Sequence, residues 1–471
     1  MTLGRRTFLQ FAGAAAAVSA GAATLVATPT PVHAQAPTPI RPRPARDRLE
    51  EALGRIANPN GEGERTCLTV YAETARIAAD AADTRARAGL SLGPLDGMIV
   101  SIKDWFDVAG EPTRAGSKVL ANAAPAAADA VVVRRLRAAG TVIVAKTNMP
   151  EFAASGLGLN PHYGTPGNPA DRSRIPGGSS SGAAVAVADD MCEIAIGSDA
   201  GGSARIPAAL CGIVGFKPSK RRIPTEGMFP FSYTVDSVGP LARSVAACAN
   251  ADAVMAAEEA QPLAPAPLDG LRFAIAEGLP LRDLDVTVTA KLSDATNELD
   301  RAGVHLTRGV FPLLDDMAYF NAGGTIVFTE AYSVHRQLLA LHGAEVDPYV
   351  RRLIEGGRDV SGADYIVVTR ERAAKVRAMD ARLAGLDALV MPTVAIVAPT
   401  IAECRDPEVA LARDLLVLRN TAIANYFDLC AISLPLPRRG GLPVGLMLVA
   451  RNGRDRKLLH IAAAVERLFA G

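Results

Sequence analysis

Three observations predict an α/β layer fold with a largely parallel or mixed sheet. Short apolar runs alternate with stretches of helical periodicity. A long Gly/Ser/Pro-rich loop over residues 155–183 lies between strongly apolar segments. The same alternation restarts after an Ala/Pro-rich linker at 258–267. After a Pro/Arg-rich lead at 38–46, residues 47–56 and 71–89 read as helices, the second with Ala and Arg at helical spacing and a terminal glycine. Residues 98–103 (Met-Ile-Val-Ser-Ile-Lys) read as a buried strand running into a loop. Residues 128–139 read as a helix closed by Gly140, 141–144 as a strand, and 192–197 as another strand. Beyond the linker, 269–276 begins a new strand, 288–302, 315–342 and 361–384 read as helices, and 387–393 as a return strand. No internal repeat is present. A loop as long as 155–183 inside a folded domain points to function rather than to a linker.

The chain has 471 residues, a length that sets a prior of about three domains. Its 50 basic and 49 acidic side chains leave a net charge of +1, and no basic run suits a phosphate backbone, which argues against a nucleic-acid partner. Only eight of the basic residues are lysines, so a lysine inside an apolar stretch stands out. The first 36 residues read as an export leader: Arg5-Arg6-Thr7-Phe8-Leu9, an apolar run over 11–26, then small residues ending His33-Ala34-Gln35-Ala36. The paired arginines mark the twin-arginine type, with cleavage after Ala34 or Ala36 and a periplasmic or secreted product. Removal of Arg5 and Arg6 leaves 48 basic against 49 acidic side chains. No later segment is apolar for long enough to span a membrane. The six cysteines are far apart and lie among small or apolar neighbours, as suits buried free thiols, and no histidine or cysteine spacing marks a metal site. No cofactor is expected.

The chemistry turns on two Gly/Ser clusters, Gly177-Gly178-Ser179-Ser180-Ser181-Gly182 and Gly197-Ser198-Asp199-Ala200-Gly201-Gly202-Ser203. Neither matches a phosphate-binding loop. The first contains G-x-S-x-G around Ser180, but the polar, proline-broken stretch before it is no strand, as a nucleophile elbow requires. The second follows a plausible strand and has small side chains that leave main-chain N–H groups open. Several such donors aimed at one point make an oxyanion hole, worth about 2.7–4 kcal/mol each in acyl transfer. A serine at its edge needs a base, and a lysine serves if burial lowers its pKa by roughly 3 units, about 4 kcal/mol. Lys103, Lys146 and Lys217 each follow an apolar run and fit this equally. A Ser–Lys hydrolase competes here with a binding protein that has Gly-rich turns.

These clusters, followed by Ala204-Arg205-Ile206-Pro207 and Cys211-Gly212-Ile213-Val214-Gly215-Phe216-Lys217-Pro218, resemble the amidase signature family. Supporting matches run from Leu95-Asp96-Gly97 through Ala145-Lys146-Thr147-Asn148-Met149-Pro150 to Gly441-Leu442-Pro443-Val444-Gly445, in order over about residues 50–465. The resemblance implies one large α/β domain over 37–471, a mixed twisted sheet covered by helices on both faces. Its signature core spans about 95–245 and a peripheral helical part about 270–385. It also implies a Ser–cis-Ser–Lys triad: Ser203 as acylated nucleophile, Ser179 as bridge after a cis peptide, and Lys103 as base. Ala200, Gly201 and Gly202 would form the oxyanion hole, with Ser180, Asp199 and Arg205 in support. Ala183, Ala204 and Leu210 depart from residues common in the family; none touches the triad, and they leave the pocket shape open. Trp105, Phe106, Phe229, Phe231 and Tyr233 are candidates for core or for an acyl pocket favouring apolar or aryl groups. The expected activity is an amidase acting on a small linear amide, as a monomer or homodimer. The alternatives are the A subunit of a glutamyl-tRNA amidotransferase and a non-catalytic binding protein on the same fold.

Overall fold

Between Ala45 and Ala88 the chain lays down α1 (Ala45–Ile56), α2 (Gly63–Thr66), β1 (Cys67–Val70) and α3 (Ala72–Ala88). The computed structural model describes residues 43–315, 326–437 and 440–470. The expected export leader lies outside these residues, as does most of the first third of the helix read over 315–342. On α1, Ala45, Leu49, Ala52, Leu53 and Ile56 recur at helical spacing and pack against Ala75, Ala79 and Ala82 of α3. Gly89 ends α3 in the left-handed region at φ 71°.

The central part contributes β2 (Ile99–Lys103), α4 (Val131–Ala138), β3 (Val142–Thr147), α5 (Ser181–Ala188), β4 (Ile194–Ser198), α6 (Arg205–Cys211), β5 (Val214–Lys217), β6 (Val238–Ala242) and α7 (Val245–Met255). Helix α4 starts three residues later than its sequence pattern suggests. Ala130 is extended at φ −53°, ψ 150°, and the Asp129 carboxylate accepts the N–H of Ala109 at 2.9 Å, bracing a loop instead of joining the helix. Then follow β7 (Arg272–Glu277), α8 (Val286–Arg301), β8 (His305–Val310), α9 (Val327–His342), α10 (Pro348–Glu355), α11 (Gly362–Arg382) and β9 (Ala388–Pro392). The chain closes with α12 (Pro407–Leu418), α13 (Ala422–Tyr426), β10 (Cys430–Pro435), β11 (Gly445–Ala450) and α14 (Asp455–Ala470).

The eleven strands of the described residues join one mixed sheet in the order β1-β3-β2-β4-β6-β5-β10-β11-β9-β7-β8. Alternate side chains enter different cores, as the pleat requires. Ile99, Val142, Val144 and Ala195 pack under α1, α3 and α5. Val100, Ile102, Ile143, Ile194 and Ile196 face α4, α7 and α14 on the other side. The sheet is therefore covered by helices on both faces. No helix among the described residues is long and apolar enough to cross a membrane.

Candidate active site

Strands β2 and β4 run parallel side by side, with Ile102 opposite Ile196. Their carboxyl ends therefore deliver Lys103 and Ser198 to one place, where open α/β sheets gather ligands. Lys103 Nζ donates to Ser198 Oγ at 2.8 Å and to Ser179 Oγ at 2.7 Å. Ser179 comes from the long loop just before α5, and the Gly178–Ser179 peptide is cis. Ser180 holds the two clusters together: its N–H donates to the Ser203 carbonyl at 3.1 Å and its Oγ to the Ser198 carbonyl at 3.3 Å. Lys103 is fully buried, with the Trp105 ring centre 5.7 Å from Nζ. Burial pushes its pKa down to about 7, against the opposing pull of Asp236 and Asp199.

The other two lysines are also buried, but they serve elsewhere. Lys217 Nζ donates to the carbonyls of Pro218 and Leu429 at 2.9 and 2.8 Å, and burial lowers it to about 8. Lys146 Nζ lies 3.5 Å from Glu111 Oε1. Of the three lysines that the apolar runs leave open, Lys103 is the one bonded to serines.

Residues 200–203 turn between β4 and α6, and none of their N–H groups is used in a hydrogen bond among the described residues. Gly202 is at φ 138°, and a Cβ there would come within 2.1 Å of Thr421 Oγ1; only glycine fits. Thr421 Oγ1 donates to the Gly201 carbonyl at 2.7 Å, which satisfies that oxygen. Beneath the turn, Asp199 and Arg205 form a fully buried pair at 2.8 and 3.0 Å. Asn425 donates to Asp199 and accepts from Arg205. Burial raises the Asp199 carboxyl, but Arg205, with Lys217 and Asn425, holds the group below its usual range.

Ser203, Ala200 and Gly201 open into a cavity of about 390 Å³ whose walls include Phe231, Phe328 and Leu418. The candidate aromatics divide. Trp105 and Phe106 are core, and Phe229 packs 5.2 Å from Trp105. Phe231 lines the cavity, whereas Tyr233 is exposed and borders a separate polar cleft. Ala183, Ala204 and Leu210 are not among the residues lining the cavity; all three are fully buried, Ala183 and Ala204 against the sheet and Leu210 beside Leu157, Ile175 and Val394. Ser198, Asp236, Thr421 and Asn425 complete the site, although no sequence pattern had assigned them roles. Among the described residues no group of three or more His, Cys, Asp or Glu side chains is arranged to hold a metal ion.

The site therefore joins a buried amine of lowered pKa, a hydrogen-bonded serine, a second serine open to a cavity, and unused main-chain donors beside it. Such a set can move a proton from a hydroxyl and stabilise a developing oxyanion. Comparison with known proteins gives the same direction. The chain is 35% identical over 404 residues to 2-amino-5-chloromuconic acid deaminase of Comamonas testosteroni, covering 84% of this chain and 86% of that protein. It is 33% identical over 459 residues to the glutamyl-tRNA(Gln) amidotransferase A-type chain of Chloroflexus aggregans, covering 89% and 92%. A crystal structure of an amidase superposes with a TM-score of 0.80 at 33% identity, covering 90% of this chain and 96% of that one. The family model named Amidase matches residues 47–459, and this chain belongs to the amidase family.

Proposed function

We propose that this protein hydrolyses the C–N bond of a small linear carboxylic amide through an acyl-enzyme on Ser203. The observation that carries the reading is the buried Lys103 amine, 2.7 Å from Ser179 Oγ, together with Ser203 on the wall of a cavity. Neutral Nζ has two N–H donors and one lone pair. An N–H directed at Ser198 leaves the lone pair for the Ser179 hydroxyl. Lys103 then takes the Ser179 proton while Ser179 takes that of Ser203, and Ser203 Oγ bonds to the amide carbon. The carbonyl oxygen becomes an oxyanion facing the N–H groups of Ala200, Gly201 and Gly202. As the C–N bond breaks, the proton returns through Ser179 to the leaving amine. Water then attacks the ester by the same relay and releases the acid. Ser180, Asp199 and Arg205 hold the two serine-bearing turns. The Phe231, Phe328 and Leu418 walls favour an apolar or aryl acyl group.

Ser203→Ala should abolish turnover across a panel of aryl and aliphatic amides while the fold, read by circular dichroism, is kept. Unchanged turnover would sink the mechanism. The similarity to the glutamyl-tRNA amidotransferase chains favours a second reading, in which the amide is glutamine and the ammonia passes to a partner. Turnover of simple amides by the isolated chain separates the two. The Arg5-Arg6 leader supports export to the periplasm or beyond, and Arg5→Lys with Arg6→Lys should leave the protein in the cytoplasm.

A further inference from the structure

Asp414 belongs to none of the motifs above. It lies on α12, is 3% exposed, and among the described residues is the one carboxylate lining the Ser203 cavity. Its Oδ1 accepts the N–H of Gly156 at 2.7 Å, and its Oδ2 accepts the Tyr349 hydroxyl of α10 at 2.9 Å. The Gly156 carbonyl in turn accepts the N–H of Gly178 at 2.7 Å, one residue before Ser179. The layers have no slack. A Cβ on Gly156 would lie 3.1 Å from Asp414 Oδ1, and one on Gly178 would lie 2.8 Å from the Gly158 nitrogen. Burying a carboxyl among Leu411, Leu415 and Leu418 is unfavourable unless its hydrogen bonds repay the desolvation; burial indeed raises it to about 6. An apolar residue would fill the wall more cheaply, but it could not hold Gly156.

We infer that Asp414 is a positioning residue for Ser179: it fixes Gly156, and through the Gly156–Gly178 hydrogen bond it sets where the Ser179 hydroxyl meets Lys103. The inference rests on the Ser203–Ser179–Lys103 reading above. A merely structural residue would alter stability or binding; a positioning residue alters the reactivity of the nucleophile.

The test uses the full chain and a fluorophosphonate probe. An activated serine oxygen bonds to phosphorus, fluoride leaves with the P–F electron pair, and the hydroxyl proton passes to the base. The wild type should be labelled at Ser203. Asp414→Ala should lower the maximal labelling rate tenfold or more with the half-saturating probe concentration within about threefold. Asp414→Asn, whose amide oxygen still accepts from Gly156, should recover to within about threefold of wild type. Asp414→Glu keeps the charge but shifts the acceptor by one methylene, and should slow labelling at least fivefold. It covers the case in which the alanine variant does not fold. Wild-type labelling rates in a folded Ala or Glu variant, or equal loss in the Ala and Asn variants, would overturn the inference. Absence of wild-type labelling at Ser203 would instead overturn the acyl-enzyme reading, and the positioning role with it.

Discussion

A free lysine titrates near 10.5, whereas buried Lys103 does so near 7. If Lys103 is the base, kcat/KM rises with pH as the amine loses its proton, about tenfold per unit below 7, and levels above it. A profile still climbing at pH 9 would remove Lys103 from that role. Asp236 works against burial by favouring the charged amine, so Asp236→Asn should move the acid limb to lower pH. The same shift has a thermodynamic sign. Between about pH 7 and 10.5 the unfolded chain holds a proton on this lysine that the folded chain has released, so stability rises with pH across that window. Lys103→Met, inactive by the proposed mechanism, should therefore gain most over wild type near pH 7 and least near pH 10. Thermal melts at both values read it, and an identical difference at the two would contradict a depressed lysine.

Helix α6 and the turn before it depend on a partner far along the chain. Arg205 binds Asp199, and also donates to the Thr421 carbonyl and to Asn425 of α13. Arg205→Met leaves Asp199 charged and buried without its partner, at about 3–5 kcal/mol. Chemical denaturation should show that loss, with a smaller combined loss when Asp199→Asn is added. These long ties explain what sequence could reveal. Glycine and serine spacing marks the 200–203 turn and the serine at its edge, because main-chain approach and open N–H groups demand small residues in short order, whereas Ser179 rests on the family resemblance. The apolar runs before Lys103, Lys146 and Lys217 look alike, since burial leaves one signature whatever the amine touches; the family resemblance separated them. Thr421, Asn425 and Asp414 lie more than 200 residues from the turns they hold and carry no local pattern. Strand β8 is illegible in the sequence for a different reason. It is an edge strand with its side chains largely solvated, so it lacks the apolar run that marked β2 and β9.

All six cysteines are free and buried, and burial pushes their thiols up, Cys192 to about 12. They act as small apolar residues, so millimolar reductant should leave the melting temperature within about 1 °C. A larger fall would reveal a disulfide in solution. The sheet has another consequence for the whole chain. Strands β10 and β11 sit between β5 and β9, joining the half that carries the serines to the half built from residues 272–392. Both come from residues 430–450, which follow the other strands of the described residues in the chain. A chain without them leaves β5 and β9 each with an unpaired edge, and the helix bearing Asn425 loses the packing that Ala431, Met447 and Val449 supply. A chain cut before residue 430 should therefore fail to join the two halves and turn over no amide, which comparing the shortened chain with the full one would check.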